Sequence, residues 1–231
     1  MKTIGLIGGM SWESSLEYYR IINQTIRQEL GGSHSGKIIM FSVDFEEVEQ
    51  FQHQGKWNEA AKLIIEAAKR LEMAGANFVV VCSNTMHKVA DQVQQKIKIP
   101  LVHIADTTAE RIRARGLKKI GLLGTKFTME EDFYKDRLIG KYALDVIVPT
   151  TKEREIIHNV IYCELCLGER KQSSKRRFKH TMQNLAASGA EGIVLACTEI
   201  GLLVGQDDID VPLFDTTAIH AQCAAELAVK E

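Results

Sequence analysis

Two reactive positions of this chain stand in matching surroundings. Cys197 closes the run Gly192-Ile193-Val194-Leu195-Ala196 and is followed by Thr198-Glu199; Ser83 closes Asn77-Phe78-Val79-Val80-Val81-Cys82 and is followed by Asn84-Thr85. Each run is an apolar strand that empties into hydrogen-bonding residues. A thiol at such an exit, beside the free backbone N–H groups of the next turn, can be held as a thiolate and can take or return a proton near neutral pH. A serine hydroxyl is a much poorer base unless a neighbour activates it. One such group on each side of a carbon meets the geometric requirement for moving a proton from one face to the other.

The neighbours of the two positions extend the pattern. Adjacent strand residues point to opposite faces, so only one of Cys82 and Ser83 can aim at a ligand, and the Asn84-Thr85 turn favours Ser83 and leaves Cys82 in the core. Asn84 and Thr85 beside Ser83, and Thr198 and Glu199 beside Cys197, offer donors and acceptors suited to an amino acid's carboxylate and ammonium groups, although the same residues also suit Asx and Ser/Thr turns. Gly5-x-x-Gly8-Gly9-Met10-Ser11 lacks both the Gly-x-Gly-x-x-Gly and the Gly-Lys-Ser/Thr pattern, which argues against a nucleotide loop. Close backbone approach to a small substrate, with Met10 and Ser11 at the wall, fits these glycines better. The histidines have poor ligand spacing and Cys163-Glu164-Leu165-Cys166 has no second pair, so no metal site is expected. Asp106 and Asp215, each before threonine, read as strand-end caps or as orienting groups.

The elements that must position these residues repeat. Apolar runs alternate with amphipathic segments, the pattern of β-α units and parallel sheets. Expected strands cover 3–8, 37–43, 77–82 and 101–104, with helices at 14–30, 57–73 and 87–97 and a polar connection around Gln50 to Gln52. Lys118 to Thr125 then repeats Lys2 to Gly9, and the second half follows with strands at 145–148 and 192–196 and helices at 154–167 and 174–187. Asp210 to Thr217 matches Ile99 to Thr108. Two α/β domains with mainly parallel sheets flanked by helices follow, with the active site in the cleft between them, at the C-terminal strand ends. The expected division is 1–108 with 213–231, and 109–212, the link lying near Thr108 to Gly116 and the last helix, 218–229, returning to the first domain.

Composition narrows the setting. At 231 residues and 45% hydrophobic residues the chain can bury a substantial core. Its 29 Lys and Arg nearly cancel 30 Asp and Glu, giving no global attraction to nucleic acid or anionic membrane. The basic run Glu169 to His180 reads as the solvated start of a helix, having a single aromatic residue for base stacking. Five cysteines without scaffold spacing and no secretion-type leader point to a reduced, cytoplasmic protein.

With these residues in view, the sequence resembles the aspartate/glutamate racemase family, especially its broad-specificity amino-acid racemase branch. The resemblance spans essentially the whole chain and rests on Gly8-Gly9-Met10-Ser11, Asn84-Thr85-Met86-His87, Gly124-Thr125-x-x-Thr128-Met129-Glu130, Cys197-Thr198-Glu199-Ile200 and Phe214-Asp215-Thr216-Thr217-x-x-His220-Ala221. It implies proton transfer at an amino acid's α-carbon without a cofactor, two pseudosymmetric domains, and a homodimer. The family pattern carries a cysteine at both reactive positions, so it assigns Ser83 and Cys197 as the catalytic pair. Some relatives of that branch carry threonine where Ser83 stands.

The resemblance further implies that Met10, Ser11, Gln52, Asn84, Thr85, Thr125, Thr128, Thr198 and Glu199 bind the substrate. Strict dicarboxylate racemases also grip the distal carboxylate with basic residues. No lysine or arginine occurs from Ser42 to Gln50 or from Glu155 to Glu169, so wider side-chain acceptance is expected, covering aspartate, glutamate, homoserine or related amino acids. Serine at 83 is expected to weaken turnover. Another cofactor-free isomerase or decarboxylase of the superfamily, and an amino-acid-binding protein with impaired chemistry, remain as alternatives.

Overall fold

The computed structural model describes residues 1–230, and these divide into two compact units, Met1–Ile104 together with the stretch from His220, and Ala105–Ile219. Each unit is built on a four-stranded parallel sheet.

In the first unit the strands are β1 (Ile4–Gly8), β2 (Ile38–Ser42), β3 (Phe78–Val81) and β4 (Leu101–Val102), in the order β2-β1-β3-β4. Helices α1 (Trp12–Leu30), α2 (Phe45–His53), α3 (Trp57–Met73) and α4 (Ala90–Gln94) connect them. Helix α5 (Ile104–Ala114) then leads into the second unit, whose strands β5 (Lys119–Gly124), β6 (Asp145–Ile147), β7 (Gly192–Ala196) and β8 (Leu213–Asp215) are ordered β6-β5-β7-β8. Its helices are α6 (Lys126–Glu130), α7 (Asp132–Asp136), α8 (Thr151–Cys163) and α9 (Gln172–Ala187), and α10 (Thr216–Val229) returns to the first unit.

The central strand of the first sheet shows why its sequence is apolar throughout. Val79 and Val81 join Ile7, Ile64, Ala67, Ala68 and Leu71 in one cluster, while Phe78, Val80 and Cys82 join Tyr18, Ile22, Ile26, Ala221, Ala224, Ala225 and Ala228 in another. A strand covered on both faces cannot afford an alternating polar residue. The second cluster contains the small residues of α10, and Lys2 N–H donates to the Ala228 carbonyl at 2.8 Å, so the last helix does pack in the first unit.

The repeat read from sequence is reproduced hydrogen bond by hydrogen bond. Asn77 N–H donates to the Thr3 carbonyl and Glu191 N–H to the Lys119 carbonyl, each at 2.8 Å; Val79 N–H donates to Pro100 and Ile193 N–H to Pro212, each at 2.9 Å. The turns that enter β3 and β7 place Gly75 and Gly189 at the same φ of 92°, a left-handed value that glycine adopts without steric cost.

Several boundaries differ from expectation. The polar connection before Trp57 contains α2, started by Asp44, whose side chain accepts from Glu46 N–H. The helix expected at 87–97 is a 3₁₀ segment, Thr85–Val89, followed by α4. The expected link at 108–116 is largely occupied by α5, and the strand expected to run to Ile104 ends at Val102. Because β8 pairs with β7, with Leu195 opposite Asp215, residues 213–219 belong with the second unit rather than the first. The helix expected from 154 starts earlier, at Thr151, where Thr150 and Glu153 form a reciprocal capping box. The basic run does open a helix, α9, on which Lys175 and Lys179 pair with Asp208. Among the described residues, no helix is long and apolar enough to cross a membrane.

Candidate active site

Val79 and Ile193 hold equivalent places through their matching bonds to Pro100 and Pro212, and counting onward from them brings Ser83 and Cys197 to the same place, each in its own unit. Both lie just past the C-terminal end of the central strand and both are 7% exposed. Cys82, by contrast, is fully buried in the cluster of α1 and α10, where burial pushes its thiol far up.

In the first unit the chain leaves β1 through Gly8 and Gly9. Gly9 has φ 89°, and a Cβ there would collide with the carbonyl of Val43. Gly9 N–H donates to Ser15 Oγ at 2.8 Å, and Ser11 caps α1 by accepting from Ser14 N–H at 3.5 Å. Ser14 Oγ donates across to the Cys82 carbonyl at 3.2 Å, which ties the first loop to the exit of β3. Met10 is buried in the apolar cluster on the α3 side, and Gln52 is buried with its amide 3.1 Å from Met86 Sδ. Asn84 and Thr85 are buried in the turn, with the Asn84 carbonyl accepting from His87 N–H.

The hydroxyl of Ser83 accepts from Met86 N–H at 3.4 Å, a long local bond. Its backbone carbonyl accepts a short bond of 2.6 Å from His87 Nδ1. Among the described residues no side-chain base reaches Ser83 Oγ, so nothing in this unit activates it as a proton acceptor.

The second unit is equipped differently. Thr125 caps α6, accepting from Thr128 N–H at 3.4 Å, and the two hydroxyl oxygens lie 3.3 Å apart. Gly124 stands opposite Ala196 in the sheet, so this hydroxyl pair follows β5 where Cys197 follows β7. Thr125 is therefore the cap of α6. The long first helix of the first unit is replaced here by the short α6 and α7.

Cys197 Sγ lies 3.0 Å from Glu199 Oε2, which also accepts from Thr198 Oγ1 at 2.6 Å. The thiol was expected to be poised as a thiolate by the backbone of the following turn. Its pKa is instead raised well above the ordinary thiol value, first by burial and then by the charge of Glu199, and a Glu199 backbone N–H directed at the sulfur only partly offsets this. The site therefore holds a thiol whose proton is directed at a carboxylate 2% exposed. A thiol paired with a buried carboxylate has a built-in proton acceptor, which a lone cysteine lacks.

Two features escaped the sequence reading. His87 is bonded through Nδ1 to the Ser83 carbonyl. Thr217 in the first turn of α10 is 2% exposed and its hydroxyl oxygen has no hydrogen-bond partner among the described residues, while neighbouring Thr216 donates to the Leu195 carbonyl at 2.8 Å. Their signal lay in Asn84-Thr85-Met86-His87 and Asp215-Thr216-Thr217, whose polar residues follow strand ends. The paired aspartates proved unlike: Asp106 is held by Arg137 and Lys141, whereas Asp215 Oδ1 accepts from Thr217 N–H at 2.9 Å. Among the described residues, no group of three or more His, Cys, Asp or Glu side chains is placed to hold a metal ion.

A family model described as Asp/Glu/Hydantoin racemase matches residues 7–224. The broad-specificity amino-acid racemase RacX of Bacillus subtilis (strain 168) is 26% identical over 165 residues, covering 71% of this chain and 70% of that protein. A crystal structure from Yersinia pestis, described provisionally as an Asp/Glu racemase, superposes over the whole of both chains with a TM-score of 0.92 and 52% identity. An aspartate racemase homologue from Pyrococcus horikoshii OT3 also superposes over the whole of both chains, with a TM-score of 0.86 and 38% identity.

Proposed function

Because this chain belongs to the Asp/Glu/Hydantoin racemase family, we propose that it is an amino-acid racemase working without pyridoxal phosphate, with Cys197 serving one face of the substrate's α-carbon and position 83 the other. The observation that carries this reading is the Cys197 thiol directed at Glu199 Oε2 at the exit of β7.

The chemistry follows from that pair. As the substrate enters, Glu199 takes the thiol proton, and the thiolate formed removes the α-proton. The electron pair left on carbon is delocalised into the substrate carboxylate, which donors from Asn84, Thr85, Thr125 and Thr198 stabilise. Protonation from the opposite face inverts the centre, and Ser83 supplies that proton through its hydroxyl. Since among the described residues no side-chain base or acid is bonded to Ser83 Oγ, this face is the slow one, and return of solvent hydrogen by Cys197 to its own face outpaces inversion.

The substrates we propose are aspartate, glutamate, homoserine or related amino acids. Ser11 and Thr128 complete the polar wall, and Met10 and Gln52 border the variable side chain. Lack of an arginine or lysine in the two segments where strict dicarboxylate racemases use one supports acceptance of more than one side chain. A cytoplasmic homodimer is proposed as the working form; the exposed Trp12, Leu16 and Tyr19, spaced along one face of α1, support self-association. Sedimentation across a concentration series tests it.

The deciding experiment incubates the protein with a panel of D- and L-amino acids in deuterated water and follows both chirality and α-proton exchange. Exchange without loss of carbon dioxide, abolished by Cys197→Ala, supports the racemase. Release of carbon dioxide identifies a decarboxylase, and ligand binding with no exchange identifies a binding protein.

A further inference from the structure

A buried imidazole sits directly behind position 83. His87 Nδ1 is 2.6 Å from the Ser83 carbonyl and its Nε2 is 3.2 Å from Ile104 N. These partners fix its state. A carbonyl only accepts, so Nδ1 carries the proton, and Nε2 offers its lone pair to the Ile104 N–H. Protonating the ring would set N–H against N–H and cost the second bond.

Ile104 is both the first residue of α5 and the last residue of the first unit before the chain crosses to the second. Its N–H is one of the helix's N-terminal donors without an intrahelical acceptor, so the imidazole acts as its cap. The return crossing is rooted in the same cluster. His220, the first residue back in the unit, has its ring 5.7 Å from that of His87, shares its Nε2 proton with the Val102 carbonyl at 2.9 Å and accepts from the Tyr18 hydroxyl at Nδ1 at 2.8 Å. His103, next to Ile104, lies 4.5 Å from His87 ring to ring. With both nitrogens of His87 and of His220 committed to these partners, the cluster is a hydrogen-bonded brace rather than a ligand set.

We propose that His87 is a positioning residue for the reaction: it fixes the carbonyl of position 83, and with it the direction of that side chain, relative to the roots of both chain crossings. The proposal rests on position 83 serving one face of the substrate, and it requires no contact between His87 and the substrate. Its distinctive consequence is one-sided. Misplacing position 83 slows inversion and leaves the exchange carried out by Cys197 on its own face.

Three variants separate the two bonds of the ring. His87→Asn keeps an amide N–H near the place of Nδ1 and gives up the acceptor for Ile104. His87→Gln can place its carbonyl near Nε2 and gives up the donor to position 83, and His87→Leu removes both. Exchange and inversion are measured separately in deuterated water. The expected result is that His87→Gln loses inversion on the order of a hundredfold, the scale of an ångström-sized misplacement, while exchange at the Cys197 face and KM barely change. His87→Asn recovers most of the inversion rate. Parallel loss of exchange and inversion in the variants, an unchanged ratio in His87→Gln, or a His87→Asn variant no better than His87→Leu would overturn the proposal.

Hydrogen exchange at the Met86 amide, which is bonded to Ser83 Oγ, gives a readout without turnover. It should quicken in His87→Gln and stay near the wild-type rate in His87→Asn; equal rates in both count against the proposal. If the wild-type protein exchanges and inverts no amino acid, the racemase reading fails, and the Met86 amide alone decides the role of His87.

Discussion

Cys197 Sγ and Glu199 Oε2 stand 3.0 Å apart, two residues along one chain, so the charge that adds to burial in raising the thiol's pKa is also the group that can take its proton. Glu199→Gln separates these effects. Removing the charge lowers the Cys197 pKa, so alkylation of this thiol at pH 8 becomes faster, while α-proton exchange falls because the acceptor has gone. Iodoacetamide labelling followed across pH, alongside exchange rates, checks both signs; slower alkylation in the variant would refute the pairing.

Ser83→Cys tests the other face. Replacing an unactivated hydroxyl with a thiol should raise inversion by roughly a hundredfold, the lower end of what a positioned acid or base contributes. The ratio of exchange to inversion should fall as the two faces become alike. An unchanged ratio would mean that the residue at 83 does not limit the reaction.

Thr217→Val addresses the hydroxyl buried without a partner. A polar atom removed from water and left unpaired is costly, so the variant should be more stable by about 1 kcal/mol, seen as a higher denaturation midpoint. Loss of stability would show that the hydroxyl has a partner in solution. A simultaneous loss of substrate affinity would show that the partner is the ligand.

His220 predicts a pH dependence of stability. Burial is the main cause that lowers its pKa to about 3, so the folded protein keeps it neutral where the unfolded chain takes up a proton. Its contribution is fully present above the ordinary histidine pKa and is lost as pH falls toward 3, at about 1.4 kcal/mol per pH unit below about pH 6.5. Urea unfolding at pH 7.5 and pH 5 should show a loss of about 2 kcal/mol that His220→Gln does not share. Equal losses in both proteins would assign the effect to other groups.

The strands were legible because each central strand is apolar on both faces, and the repeat was legible because its turns use the same residue types. Helix α2 escaped because one of its two fully buried positions is Gln52, which breaks the apolar period that Val48 begins. Helix α5 carried its signal in Ile104, Ala105, Thr108, Ala109 and Ile112, all buried, but the intervening charges and the paired threonines resembled a link. The place of Ser83 at a strand exit was legible from the apolar run that precedes it. The state of the Cys197 thiol was not, since it depends on where the Glu199 carboxylate turns, and the imidazole cluster was invisible because sheet order brings together residues 87, 103 and 220.

The return of α10 to the first sheet sets an order on how a growing polypeptide can acquire structure. The Tyr18 cluster needs Ala221, Ala224, Ala225 and Ala228, so the first unit cannot complete this core until those residues have emerged. The inserted unit, continuous from Ala105 to Ile219, has its whole sheet available before then. During synthesis the inserted unit is therefore able to mature before the unit that flanks it, and α10 closes the core that β1 opens.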